Sequence, residues 1–227
     1  MDTRAIIICA GEATRWKNYK GVPKHLIEIE GERLLDRTIR LLKERGVEEI
    51  YTVVKDISMS YYNQGSTQWV VKPDYDKNAD ADKFLSSTAL WNHEGRTLVL
   101  YGDVYFTEDA MDTITGFAAK EWTLFGREGA SKITGTPWGE CFAISFYPED
   151  HERMYGKLKY IAELYKTGVI NRCGGWELYR AMTGREGKKV RHPHTITTNF
   201  VEINDWTEDY DTPQDYENWL KNRARMV

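Results

Sequence analysis

Residues 6–9 read Ile-Ile-Ile-Cys, an uninterrupted apolar run with Ala5 before it and Ala10-Gly11 after it. Adjacent β-branched side chains favour an extended strand. With no polar residue in the run, both faces of that strand must be covered, the pattern of a parallel strand inside a layered sheet. A parallel neighbour requires a crossover, so a helix is expected after the loop that leaves this strand.

The rest of the sequence supplies the alternation that such a sheet needs. Leu34, Leu35, Ile39 and Leu42 recur at helical spacing between charged residues, and Gly46 offers a left-handed stop. Strands are expected at Ile50–Val54, Gln68–Val71 and Thr97–Tyr101. Helical stretches are expected around Phe84–Trp91 and from Glu108 to Ala119, the latter with Thr107 as N-cap. After Lys120 the rhythm changes to strands near Trp122–Phe125 and Cys141–Tyr147, helices around Asp150–Lys166 and Trp176–Met182, a strand Phe200–Ile203 and a closing helix after Pro213. Strands alternating with helices imply an α/β fold with a mostly parallel, mixed central sheet. The 227 residues hold no internal repeat and no linker, so one domain spanning 1–227 is expected. Gly126–Trp138, with three glycines and a proline, reads as a mobile loop over a site.

Composition narrows the function classes. A formal charge of −4 with no basic run argues against a nucleic-acid partner. The apolar runs are far below membrane-spanning length and no signal pattern opens the chain, so a cytoplasmic protein without a membrane partner is expected. Cys9, Cys141 and Cys173 are too few and too scattered for a disulfide frame or a zinc site.

In an open parallel sheet, ligands collect at the carboxyl ends of the strands. Two such ends are unusual here. After the first strand come Ala10, Gly11, Glu12, Ala13, Thr14 and Arg15, where a small residue and a glycine let backbone N–H groups approach a ligand. After the strand ending at Tyr101 come Gly102 and Asp103, a carboxylate at a strand tip.

At these residues the chain resembles the nucleoside-triphosphate transferases, which join a nucleotide to a sugar phosphate or a related phosphorylated alcohol. Their A-G-x-G-x-R, P-K-x-L and L-L-x-R pattern stands here as ICAGEATR, VPKHLIEIEG and LLDRTIRLL. The strand-tip G-D-x-x-F is Gly102 to Phe106, and the closing D-T-P-x-D-Y is Asp211 to Tyr216. Chain length and the stretch VVKPDYDKNADADKFLSSTALWN look most like short cytidylyltransferases acting on phosphocholine-type substrates. The resemblance implies a Rossmann-like, GT-A-like nucleotidyltransferase fold, a nucleoside triphosphate and a phosphorylated small molecule as partners, and Mg2+ as cofactor. It also implies a metal held by Asp103 and Asp211, and base recognition by the first loop and by Ser86 and Ser87. One departure stands out: Ala13 occupies the place of the second loop glycine, and alanine resists positive φ.

The residue types suit such chemistry. Attack on an α-phosphorus gathers negative charge, which calls for cations and a metal rather than an elaborate base. Arg15 can fork across two phosphate oxygens, and Lys24 supplies a point charge. Asp103 and Asp211 offer the hard oxygens magnesium prefers. Asp205 and Asp209 are alternatives to Asp211, and Asp-Thr-Pro is also how a helix begins.

Other patterns are set aside. Asp74, Asp76, Asn78, Asp80 and Asp82 alternate like a calcium loop, but Ala79 and Leu85 stand where glycine and glutamate are required. His192-Pro193-His194 lacks a third ligand. Trp138, Trp176 and Tyr179 could pack alone or hold a quaternary ammonium head group. The rival readings are a glycosyltransferase, whose usual D-x-D motif is broken here by Gly102, and a noncatalytic nucleotide-binding protein.

Overall fold

The computed structural model describes residues 2–11, 14–55, 65–71, 76, 79–185, 187 and 196–225. Strand β1 (Thr3–Ile8) leads to a hairpin, β2 (Glu28–Ile29) and β3 (Glu32–Arg33), then α1 (Leu34–Glu44), β4 (Glu49–Val54) and β5 (Thr67–Val70). Helix α2 (Asp80–Ser86), β6 (Arg96–Tyr101), β7 (Val104–Tyr105) and α3 (Glu108–Gly116) follow. The chain closes with β8 (Thr123–Arg127), β9 (Glu140–Phe146), α4 (His151–Lys166), α5 (Gly175–Met182), β10 (Phe200–Glu202), β11 (Glu208–Asp209) and α6 (Pro213–Arg223).

Among the described residues, seven strands form one sheet in the order β10-β8-β9-β6-β1-β4-β5. Strand β1 lies between parallel partners β4 and β6, as its unbroken apolar run requires. Ala5, Ile7 and Cys9 face α1 and α3, whereas Ile6, Ile8 and Ala10 face α2, α4 and α5. The change of rhythm after Lys120 is the arrival of β9, which runs antiparallel to both β6 and β8, so the carboxyl-terminal half extends the same sheet.

Local signals set element boundaries. Gly46 takes φ +74° just beyond α1, where its lack of a Cβ allows the left-handed turn. Thr107 caps α3 by accepting from the Ala110 N–H at 3.0 Å. Such a cap contributes about 1 kcal/mol, less than the ~1.5–3 kcal/mol of burying one large apolar side chain such as Ile114. Burial therefore decides that α3 forms, and the cap decides where it starts.

Two expectations shift. The helix expected over Phe84–Trp91 begins earlier, at Asp80, and ends at Ser86 before a short turn at Thr88–Leu90, because Phe84 and Leu90 are both drawn into the core beneath β6. The glycine-rich stretch expected to be mobile is pinned. Arg127 pairs with the fully buried Glu208 at 2.7 Å, Ser131 also donates to Glu208, and Arg127 donates to the Trp138 carbonyl at 3.2 Å. Two short elements escaped the sequence reading: the β2–β3 hairpin and the β7–β11 ribbon, each of two-residue strands.

Candidate active site

The register of β1 against β6 places Ile8 beside Tyr101, so the two unusual strand ends leave the sheet side by side. Gly102 makes this possible. A Cβ there would stand 2.3 Å from Cys9 Sγ and 2.9 Å from the Ile8 carbonyl oxygen. The chain then turns Asp103 outward and enters β7, where Val104 pairs with Asp209 and Tyr105 with Glu208. That ribbon carries the carboxyl-terminal acids to the tip of β6. Beyond it Thr212, not Asp211, caps α6, in a reciprocal box with Asp215. Asp211 is thereby left to turn toward the amino-terminal loop.

Four side chains meet there. Lys24 Nζ lies 2.7 Å from Asp103 Oδ2 and 3.2 Å from Asp211 Oδ1, and Arg15 Nη1 lies 2.7 Å from Asp211 Oδ2. Lys24 is buried, with a side chain 6% exposed, whereas that of Arg15 is 59% exposed. Burial opposes the lysine charge, but the nearby Asp103, Asp211 and Asp209 carboxylates more than offset it and hold its pKa above the ordinary value. Burial likewise pushes Asp103 up, and Lys24 reverses this and keeps it below the usual carboxylate range.

These groups line a cavity of about 570 Å3 together with Gly11, Thr14 and Glu140. Glu140 is pushed up to about 8 by burial and by repulsion from Asp211 and Glu208. Asp209 is raised by burial and by Glu140 and Asp211. Asp103, Asp209, Asp211 and Glu140 thus crowd into a cavity that Lys24, Arg15, Lys83 and Arg172 also line, and burial with mutual repulsion keeps protons on Glu140 and Asp209. Among the described residues no group of three or more His, Cys, Asp or Glu side chains is arranged to hold a metal ion by itself. Magnesium needs only one or two carboxylates besides substrate phosphates and water, and Asp103 with Asp211, converging on one ammonium, fit that requirement.

The other expected site residues fall in different places. Gly11 and Thr14 line the cavity, and Ala10 is fully buried below it. Glu12 and Ala13 lie outside the described residues, as do Asp74, Asn78, His192 and His194. Gly102 is a packing residue between strand ends and does not line the cavity. Ser86 and Ser87 are not brought to it either: their hydroxyls donate to the Lys83 and Phe84 carbonyls at 2.7 Å inside α2. Asp205 accepts from the Thr207 N–H at 2.7 Å and from the Thr107 hydroxyl, away from Lys24, whereas Asp209 does line the cavity. Trp138 and Trp176 stand on the wall. Tyr179 is buried, donating to the Thr198 carbonyl at 2.6 Å.

Sequence reading missed Lys83, whose ammonium sits 3.6 Å from the point a Cβ on Gly11 would occupy and 2.6 Å from Asp80 Oδ1. It also missed His25, which burial lowers to about 4 so that it is neutral beside Asp103 and Lys24. Helical spacing of Asp80, Lys83 and Phe84 was the available signal for the first. The second had none beyond adjacency to Lys24.

No curated protein sequence matches the chain. Solved structures do match its fold. The CTP:phosphocholine cytidylyltransferase from Streptococcus pneumoniae superposes with a TM-score of 0.64 at 16% identity, over 97% of this chain and 99% of that one. The inositol-1-phosphate CTP transferase from T. maritima superposes with a TM-score of 0.59 at 15% identity, over 98% and 96%. The family model of the MobA-like NTP transferase domain matches residues 5–127, the segment that runs from β1 through Lys24 and Asp103 to the end of β8. The chain belongs to that family of nucleotidyltransferases.

Proposed function

We propose that the protein transfers a nucleoside monophosphate, with CTP or UTP as the favoured donor, to a phosphorylated small molecule such as a sugar 1-phosphate or a phosphocholine-like alcohol, releasing pyrophosphate with Mg2+ as cofactor. One observation supports this above the others: Arg15 and Lys24 from the amino-terminal loop converge with Asp103 and Asp211 from two distant segments on one wall of one cavity. The two solved relatives are named for CTP and for a phosphate monoester acceptor, phosphocholine or inositol 1-phosphate.

The acceptor phosphate oxygen attacks the α-phosphorus, and the bond from that phosphorus to the bridging oxygen breaks as pyrophosphate leaves. A phosphate monoester has a second pKa of about 6, so its oxygen is already deprotonated at neutral pH and no protein base is required. Lys24, buried and held cationic, is placed to stabilise charge developing on the α-phosphate oxygens. Arg15, on the exposed rim, reaches the outer phosphates with its planar fork. Backbone around Gly11 lets the triphosphate lie close to the end of β1. Asp103 and Asp211 are the residues that would hold a magnesium ion, whose charge would offset that of the phosphates. Trp138 and Trp176 offer apolar faces to the body of the acceptor.

The test is incubation with magnesium, each of the four triphosphates and a panel of phosphorylated sugars and alcohols, followed by pyrophosphate release. Release that requires one triphosphate and one acceptor, and that Asp103→Asn abolishes, is the expected result. Absence of pyrophosphate under every combination overturns the reading.

A further inference from the structure

The segment between the two cations runs through an unfavourable backbone. Lys17, Asn18 and Lys20 have φ values of 52°, 53° and 55°, followed by Gly21 at 72°. Side chains with a Cβ rarely occupy this region, and such conformations persist only where surrounding contacts over-determine them.

The ion pairs of the site do not explain that persistence by themselves. The pair between Arg15 and Asp211 is largely exposed on the arginine side, and exposed pairs contribute little. A group of aromatic contacts does more. Trp16, 1% exposed, donates its indole N–H to the Val22 carbonyl at 3.0 Å and so closes the segment on itself. Its ring meets Tyr19 and Tyr216 edge-on, with centroids 5.4 and 6.1 Å away. Lys20 Nζ stands 4.6 Å from the centre of the Tyr216 ring, and the Tyr19 hydroxyl donates to Glu217 at 2.6 Å. Tyr216 and Glu217 lie on α6, the helix whose entry carries Asp211.

We propose that Trp16 and Tyr216 are positioning residues, an aromatic latch that fastens the Arg15–Lys24 segment to α6 and so preassembles both cations against Asp211 before a nucleotide arrives. The inference rests on the nucleotidyl-transfer reading of the cavity. It assigns to the latch the conformational cost that nucleotide binding would otherwise carry. If the segment were unlatched and only about a tenth of molecules held the competent arrangement, apparent affinity would fall about tenfold while the fully bound complex stayed the same. The effect therefore appears in KM for the triphosphate and not in kcat.

The test compares Tyr216→Ala, Tyr216→Phe and Trp16→Phe with the wild type in thermal midpoint, KM and kcat for CTP or UTP, and trypsin cleavage after Lys17 and Lys20. Tyr216→Ala is expected to raise KM about tenfold with kcat nearly unchanged. Its cleavage at Lys17 and Lys20 should accelerate, and added magnesium nucleotide should restore protection. Tyr216→Phe keeps the ring and loses only the long contacts of its hydroxyl, which accepts from Lys20 and donates to the Glu28 carbonyl, each at 3.4 Å, so it should stay within about twofold of wild type, while Trp16→Phe, which loses the N–H to Val22, should fall between it and the alanine variant. Should the alanine variant not fold, Tyr216→Leu keeps apolar volume without an aromatic face and takes its place. Unchanged KM and trypsin resistance, or cleavage accelerated throughout the chain rather than in this segment, would overturn the latch. A wild type that binds no triphosphate would instead overturn the nucleotidyl-transfer reading.

Discussion

Lys24 and Asp211 stand 187 positions apart in the chain and 3.2 Å apart in the protein. The contact joins the loop after the first strand to the turn before the last helix, and Asp103 completes it from the tip of the middle strand at 2.7 Å from the same ammonium. Three segments that share no local sequence signal thus meet at one buried cation.

Lys24→Met removes that cation at nearly constant side-chain volume. Loss of a preorganised charge aimed at the transition state costs about 10²–10³-fold in rate. Single-turnover nucleotidyl transfer should therefore fall by that factor while circular dichroism shows an intact fold. A variant retaining more than a tenth of wild-type turnover would remove Lys24 from the chemistry.

The Glu140 carboxyl gives stability a pH slope. Its pKa rises from an ordinary 4.5 to about 8 through burial and the nearby Asp211 and Glu208 carboxylates. Between these values the folded protein keeps a proton that the unfolded chain releases, so the folded state binds more protons and stability falls as pH rises through the window. Glu140→Gln should flatten the slope and melt higher than wild type at pH 8, with little difference at pH 4.5. Parallel melting-temperature profiles for the two proteins would contradict the assignment.

The Arg127–Glu208 pair pins the loop that carries Trp138, and Glu208 is fully buried. Breaking one side of such a pair leaves an uncompensated buried charge and costs about 3–5 kcal/mol. Arg127→Met should lower the thermal midpoint by roughly 10 °C at this chain size. The double variant Arg127→Met, Glu208→Leu should recover part of the loss, and a single variant that melts within a degree of wild type would refute the strong coupling.

Lys83 places an ammonium over Gly11 while paired with Asp80. A charge-assisted hydrogen bond is worth about 1.5–3 kcal/mol, so Lys83→Met should weaken nucleoside triphosphate binding roughly tenfold or more by calorimetry. Binding indistinguishable from wild type would reduce the pair to a structural link within α2.

Local patterns carried far in this chain. The apolar run of residues 6–9 forced a strand covered on both faces, Thr107 and Gly46 marked helix ends, and Gly11, Arg15, Lys24, Asp103 and Asp211, singled out from their motifs, line one cavity. The strand and the helix ends are written in neighbouring residues, because burial of one strand and capping of one helix depend on side chains a few positions apart.

Ser86 and Ser87 show where that reading stops. The family resemblance pointed to them for base recognition, but at the end of α2 their hydroxyls satisfy carbonyls three residues back, and the packing of α2 against the sheet decides which face turns to the cavity. The two-residue ribbon of β7 and β11 is too short to leave a periodic signal, yet its pairing of Val104 with Asp209 sets Asp209 beside the Asp103 segment. The pKa of Glu140 and the latch of Trp16 on Tyr216 are likewise properties of through-space neighbours far apart in sequence. Local patterns thus set which residues stand at the strand ends. Which of them share a cavity, and which are held charged or neutral there, follows from the folded chain, because Coulomb forces and desolvation depend on distance and burial in space and not on position along the chain.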